Sequence, residues 1–200
     1  MLKGMVKKQN KIEIYQVAQK AGWNTPNTLI WREPAQKMRP EFVKRLYKEN
    51  ETVCELDFSG IETADGSFID EFLVTELKNM DAGKVSKKAI YLSNLNDVVL
   101  YNIELVFTKK RPAGEKFYMM FRKADGTWEL FSEGIEASLK ETLEYIMLKK
   151  ELTSNDVSKK FKISVPAASV RLKNLFDMRI VNRKDETTST GKEFVYESIF

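Results

Sequence analysis

The hydrophobic period of this chain switches between two and about 3.6 several times, and that switching restricts the fold more than any other feature. Residues 53–58, VCELDF, alternate, with Cys54, Leu56 and Phe58 on one face, as in a half-buried strand. From Ser67 the run FIDEFLVTELKNM puts Phe68, Phe72, Leu73, Leu77 and Met80 on one helical stripe, with Gly83 just past its end. KAIYLSNL, 88–95, reads as a strand, and Asn96 or Asp97 caps a helix running to about Lys109. KFYMMFRKADGTWELFSE is a hairpin turning at Asp125-Gly126. Strand, helix, strand, helix, strand, strand predicts helices on a mixed sheet.

Before this block, IEIYQVAQKA at 12–21 has the spacing of a short helix ending at Gly22. TPNTLIWREP reads as irregular or as a short strand, and Pro34 opens a helix carrying Met38, Phe42, Leu46 and Tyr47. After Gly134 the pattern changes. IEASLKETLEYIMLKK is a helix, LTSNDVSKKFK a second with Ser154 as its cap, and ISVPAASVRLKNLFDM a third. RIVNRK and FVYESIF are strands around the polar turn DETTSTGKE. The expected fold class is α/β plus α+β, in three segments. Residues 1–27 form a helical N-terminal extension, 28–136 a mixed-sheet α/β domain, and 137–200 a small helical domain with a β-ribbon. Whether residues 12–47 dock on the sheet or mediate dimers stays open.

Composition removes most chemistry. The chain has no histidine and one cysteine. Ser-His-Asp and Cys-His machinery, an imidazole base and the usual His/Cys zinc sites are therefore excluded. One cysteine makes no internal disulfide, which fits a reducing compartment. Cys54, on the apolar face of its strand, reads as core. No glycine-rich phosphate loop or dinucleotide fingerprint is present. The expectation is a protein that is not an enzyme, with no cofactor and no metal; Asp57, Asp65, Asp70 and Glu71 read as strand-end and cap carboxylates rather than a magnesium cluster. No apolar run reaches the roughly 18 residues that span a bilayer, so no membrane partner and a cytoplasmic location are expected.

Charge is unevenly spread. Residues 1–52 carry 11 Lys/Arg against 5 Asp/Glu, residues 53–138 carry 10 against 15, and residues 139–200 carry 12 against 9. A basic end suits nucleic acid through counterion release, and an acidic middle does not. Two modules with different partners follow from that split.

LTSNDVSKKFKISVPAASVRLKNLFDMRIVNRK, a polar wing and FVYESI resemble the winged helix-turn-helix domain of bacterial and archaeal regulators, over Leu139 to Phe200. The resemblance implies a third helix in the major groove, with Ile163, Ala168, Leu172 and Leu175 facing the core and a wing on phosphate. The DNA contacts it implies on that helix are Ser169, Arg171, Lys173 and Asn174. Lys159, Lys160 and Lys162, with Arg183, Lys184 and Lys192 around the wing, would neutralise phosphate. Asp185, Glu186 and Glu193 oppose them. Val165, Ala167 and Val170 suit thymine methyls, and equally suit a protein partner, for which Val165 and Val170 are the candidate contacts. Winged-helix regulators often dimerise, so a homodimer is among the implied states.

VCELDFSGIETADGSFIDEFLVTEL resembles the STAS fold of anti-anti-sigma factors, and more closely a STAS-like family found beside helix-turn-helix domains. The shared features are a buried strand ending in Asp-Phe, a short loop, and a serine opening an amphipathic helix. The resemblance covers residues 28–130 and implies a protein partner for this module. In partner-switching members the corresponding serine accepts phosphate, which makes Ser67 the candidate phosphosite. Phe68, Asp70 and Glu71 depart from the small residues usual there, and two carboxylates in the same turn repel a phosphate. Read without the resemblance, Ser67 is an N-cap with Asp70 completing the box.

Overall fold

The computed structural model describes residues 10–48, 51–109, 116–131, 134–188 and 191–200. Its centre is a five-stranded mixed sheet built from β1 (Asn10–Glu13), β3 (Val53–Asp57), β5 (Ala89–Ser93), β6 (Met119–Arg122) and β7 (Trp128–Phe131), in that spatial order. The first four are parallel, and β7 returns antiparallel to β6. A parallel sheet whose spatial order follows chain order, joined by right-handed crossovers, carries all its connecting helices on one face.

That face is packed by α1 (Ile14–Lys20), α2 (Glu33–Leu46), α3 (Gly66–Ile69), α4 (Thr75–Asp81) and α5 (Asp97–Glu104). Ile12, Cys54, Leu56, Ile90, Leu92, Met119 and Phe121 point into the same core as Val17, Phe42, Phe72 and Ile103. Burial pushes the Cys54 thiol up to about 12, so it stays an inert thiol. Two short strands, β2 (Thr28–Leu29) and β4 (Thr63–Ala64), pair in parallel beside α3.

The opposite face of the sheet shows Val53, Ala89, Tyr91 and Met120. It is covered by the C-terminal elements: α6 (Ala137–Lys149), β8 (Glu151–Leu152), α7 (Ser154–Phe161), α8 (Val165–Asp177), β9 (Asn182–Thr188) and β10 (Gly191–Glu197). These close a three-stranded antiparallel sheet in the order β8-β10-β9. Leu139, Leu143, Ile146, Val157, Ala168, Leu172, Leu175 and Ile199 form one continuous core with the sheet face. Ala168 is fully buried; a small side chain there lets α8 approach its neighbours closely.

Four local expectations are corrected. The helix read over 12–21 begins later: Asn10–Glu13 is an edge strand pairing with β3, because Ile12 alternates inward and is fully buried. Within the segment read as an N-terminal extension, Asn10–Glu13 therefore belongs to the sheet and α1 packs into the same core. The cap before α3 is Asp65, whose carboxylate accepts from the Phe68 N–H, and Ser67 lies exposed inside the first turn. The cap of α7 is Thr153 rather than Ser154; Thr153 and Asp156 exchange side chain and backbone bonds as a capping box. Between α3 and α4 the chain widens into a π-helical turn, Asp70–Val74. It turns the three consecutive residues Phe72, Leu73 and Val74 into the core, which a regular 3.6-residue repeat does not do. A second such turn, Leu105–Lys109, continues α5.

Candidate nucleic-acid interface

α8 begins at a cap, Ser164, whose hydroxyl accepts from the Ala167 N–H, and Pro166 sits where no N–H is needed. Ala168, Leu172 and Leu175 anchor the helix inward, while Ile163 is partly buried beside them. With that face fixed, Val165, Pro166, Ala167, Val170, Lys173 and Asn174 are left exposed. Val165 is 43% and Val170 58% exposed, so the tip of the helix presents small apolar surface to solvent. Ser169 is only partly exposed. Asn174 turns toward a surface recess shared with Tyr118 and Lys116 of the sheet side.

The cations separate into two kinds. Lys159, Lys160 and Lys162 are exposed at the end of α7, with no carboxylate within ion-pair distance among the described residues. Lys162 caps α7 in the left-handed conformation, at φ 54°, which turns the chain into α8. The Lys160 ammonium lies 5.6 Å from the ring centroid of Tyr145, and the Arg171 guanidinium 5.7 Å from that of Phe161. Those two rings meet edge-on at 5.9 Å, so a cation–ring ladder ties α6, α7 and α8 together. Arg171 is therefore drawn onto the flank of α8 and partly buried.

Other cations read as phosphate ligands are already engaged. Lys173 pairs with Asp177 at 2.5 Å, one turn on. Asp177 also pairs with Lys87 at 3.3 Å; burial pushes its pKa up, but the two lysines outweigh that and hold it below the usual range. Lys184 is surrounded by Glu186 at 2.9 Å, Glu151 at 3.2 Å and Glu197 at 3.2 Å. Hydrogen bonding to Glu186, then to Glu151 and Glu197, raises its proton affinity. Arg183 is clamped between Phe176 and Phe194, with ring centroids 4.3 and 4.2 Å away. The side chain of Lys192 lies outside the described residues. Asp185 and Glu186 are exposed on the ribbon.

The carboxylates singled out in the α/β block do not converge. Asp57 accepts from Ser59 and Asn94 and pairs with Lys11. Asp65 is spent on the backbone N–H groups of Phe68 and Trp31. No group of three or more potential metal ligands occurs among the described residues. Ser67 stands exposed, and Trp31, whose N–H donates to Asp65, is 69% exposed with its backbone at φ 75°. Sequence reasoning missed Trp31, Phe194, Lys87, Lys88 and Arg179, because their roles depend on which segments the fold brings together.

No protein-family model matches the chain, and a search of curated proteins returns no significant match. No helix among the described residues is long and apolar enough to cross a membrane.

Proposed function

We propose that the C-terminal unit is a winged helix that binds DNA, and that the α/β unit is a STAS-like module that engages a protein partner. The observation that carries the first half is the pairing of an outward-facing α8 with Lys159, Lys160 and Lys162 at its approach, exposed and without carboxylate partners among the described residues. An exposed helix of 13 residues is about 20 Å long and about 10–12 Å across with its side chains, which matches the major groove. The lysines meet phosphate, Ser169 reaches base edges, and Val165 and Val170 meet thymine methyls. Binding is then weak in sequence preference and steep in salt dependence.

The test is fluorescence anisotropy with mixed-sequence duplex DNA at low salt. The native chain binds, and the triple variant Lys159→Ala, Lys160→Ala, Lys162→Ala binds more weakly, with a salt slope shallower by about 0.9 for each phosphate left without its lysine. Failure of the native chain to bind at about 50 μM removes the proposal.

The exposure of Val165, Val170 and Phe194 favours a second reading, in which this surface docks a protein. Val170→Lys separates the two. It abolishes a protein complex built on this apolar surface and leaves non-specific DNA binding no weaker. For the STAS-like module, Ser67 is accessible to a kinase, and mass spectrometry of protein from its native cells reads whether it carries phosphate.

A further inference from the structure

Where the C-terminal unit meets the sheet there is a recess of about 80 Å³. Its polar lining is Thr52, Lys87, Lys88, Arg179, Asn182 and Arg183. Four of these are cations, and no carboxylate lines the recess among the described residues. With 33 basic and 29 acidic residues in the chain, composition alone does not produce that imbalance.

Each cation is positioned by the fold. The Arg183 guanidinium is held between the rings of Phe176 and Phe194. Lys88 is 7% exposed and donates to the Lys48 carbonyl at 3.0 Å. Burial lowers its proton affinity, while Cys54 and Glu51 pull the other way. The side chain of Arg179 is 4% exposed. Its Nη1 donates to Asp81, and its buried Nε has no hydrogen-bond partner among the described residues. A buried guanidinium N–H left without an acceptor carries a full desolvation penalty. Arg179 also sits at φ 63°, a left-handed conformation sparsely populated by residues other than glycine. The fold thus holds an arginine, at conformational cost, beside three other cations.

Among the described residues the carboxylates near these cations are Asp81 on Arg179, Asp177 on Lys87 and Glu51 beside Lys88; Asp177 is shared with Lys173, and one Glu51 oxygen is buried without a partner. We infer that the recess binds a phosphate group, held by the four cations that line it, Lys87, Lys88, Arg179 and Arg183. The volume is roughly that of a few water molecules, enough for one phosphate group and too little for a nucleoside. The ligand is either inorganic phosphate or the phosphate of a nucleotide whose base stays outside. Because Thr52 and Lys88 belong to the sheet side, Arg179 to the α8–β9 connection and Arg183 to β9, the anion bridges the two units. This site is separate from the DNA-binding reading, and its test contains no DNA.

Thermal unfolding and titration calorimetry on the full chain compare inorganic phosphate and adenosine monophosphate with sodium chloride at matched ionic strength. At a hundredfold excess over Kd, the melting temperature rises by about 5–10 °C above the chloride control. Stronger binding of phosphate identifies the free ion, and stronger binding of the nucleotide identifies its phosphate; either supports the site. Lys88→Met and Arg183→Gln each weaken binding about tenfold. Arg179→Met removes a third lining cation and weakens binding likewise, and the other two variants keep the test valid if that chain does not fold. No rise with either ligand, or equal binding by native chain and both Lys88→Met and Arg183→Gln, overturns the inference.

Discussion

The ammonium of Lys11 lies 2.7 Å from Oδ2 of Asp57, joining the edge strand β1 to the end of β3. Oδ1 of the same carboxylate accepts from the Ser59 N–H at 2.9 Å, the Ser59 hydroxyl at 2.7 Å and Asn94 at 2.7 Å. Burial works against the charged form, but these donors outweigh it and hold Asp57 at about 2, below its ordinary 3.8. A depressed carboxylate contributes stability above its unfolded pKa and loses it as pH falls through the folded one. The window is therefore about pH 4 down to 2. Urea denaturation across that window should show the native chain losing about 2 kcal/mol more than Asp57→Asn. Equal losses for the two chains would show that Asp57 is not held in its charged form.

Asp65, not Ser67, closes the first turn of α3, and it also binds the Trp31 N–H at 2.9 Å. Asp65→Ala should cost about 0.5–2 kcal/mol in urea denaturation, the range for a missing cap. Ser67→Ala, at an exposed position inside the turn, should stay within about 0.5 kcal/mol of the native chain. The opposite ranking would return the cap to Ser67.

Much of this architecture is legible in the sequence, for reasons that differ by element. Cys54, Leu56 and Phe58 alternate, so β3 is readable from period alone. Ala168, Leu172 and Leu175 recur at helical spacing, so the buried face of α8 is readable too. The Asp70–Val74 turn is not, because Phe72, Leu73 and Val74 are consecutive and fit neither period. Asn10–Glu13 hides because four residues running directly into α1 leave no turn signal between strand and helix. Charge by residue type also misleads. Lys159 and Lys184 look alike in the sequence, yet three glutamates from three strands gather around Lys184 only once the ribbon forms.

The strand order exposes one sheet face, and the C-terminal unit covers it. Tyr91 meets Phe200 edge-on with ring centroids 4.7 Å apart, and Met120 is fully buried in the shared core. The two units should therefore open together. Met120→Ala should cost about 2–5 kcal/mol. Hydrogen exchange should show amides of Leu56 in β3 and Leu172 in α8 losing protection by the same amount. Unchanged protection in α8 would mean that the units unfold separately.

On the proposed DNA-binding reading, Lys184 supplies the sharpest separation between a cation that would meet phosphate and one that serves the fold. Its ammonium lies among Glu151, Glu186 and Glu197, which already compensate its charge. A lysine held this way displaces no counterions from DNA, so Lys184→Ala should leave the salt slope of DNA binding unchanged. The same substitution leaves three carboxylates facing one another across β8, β10 and β9, and should lower the melting temperature, most at low ionic strength where repulsion is least screened. Lys162→Ala should do the reverse, with a slope shallower by about 0.9 and a melting temperature close to native. Paired anisotropy and melting measurements on the two variants read both effects. A slope change in Lys184→Ala as large as that in Lys162→Ala would mean that the glutamates yield Lys184 to DNA, placing the ribbon on the phosphate backbone beside α8.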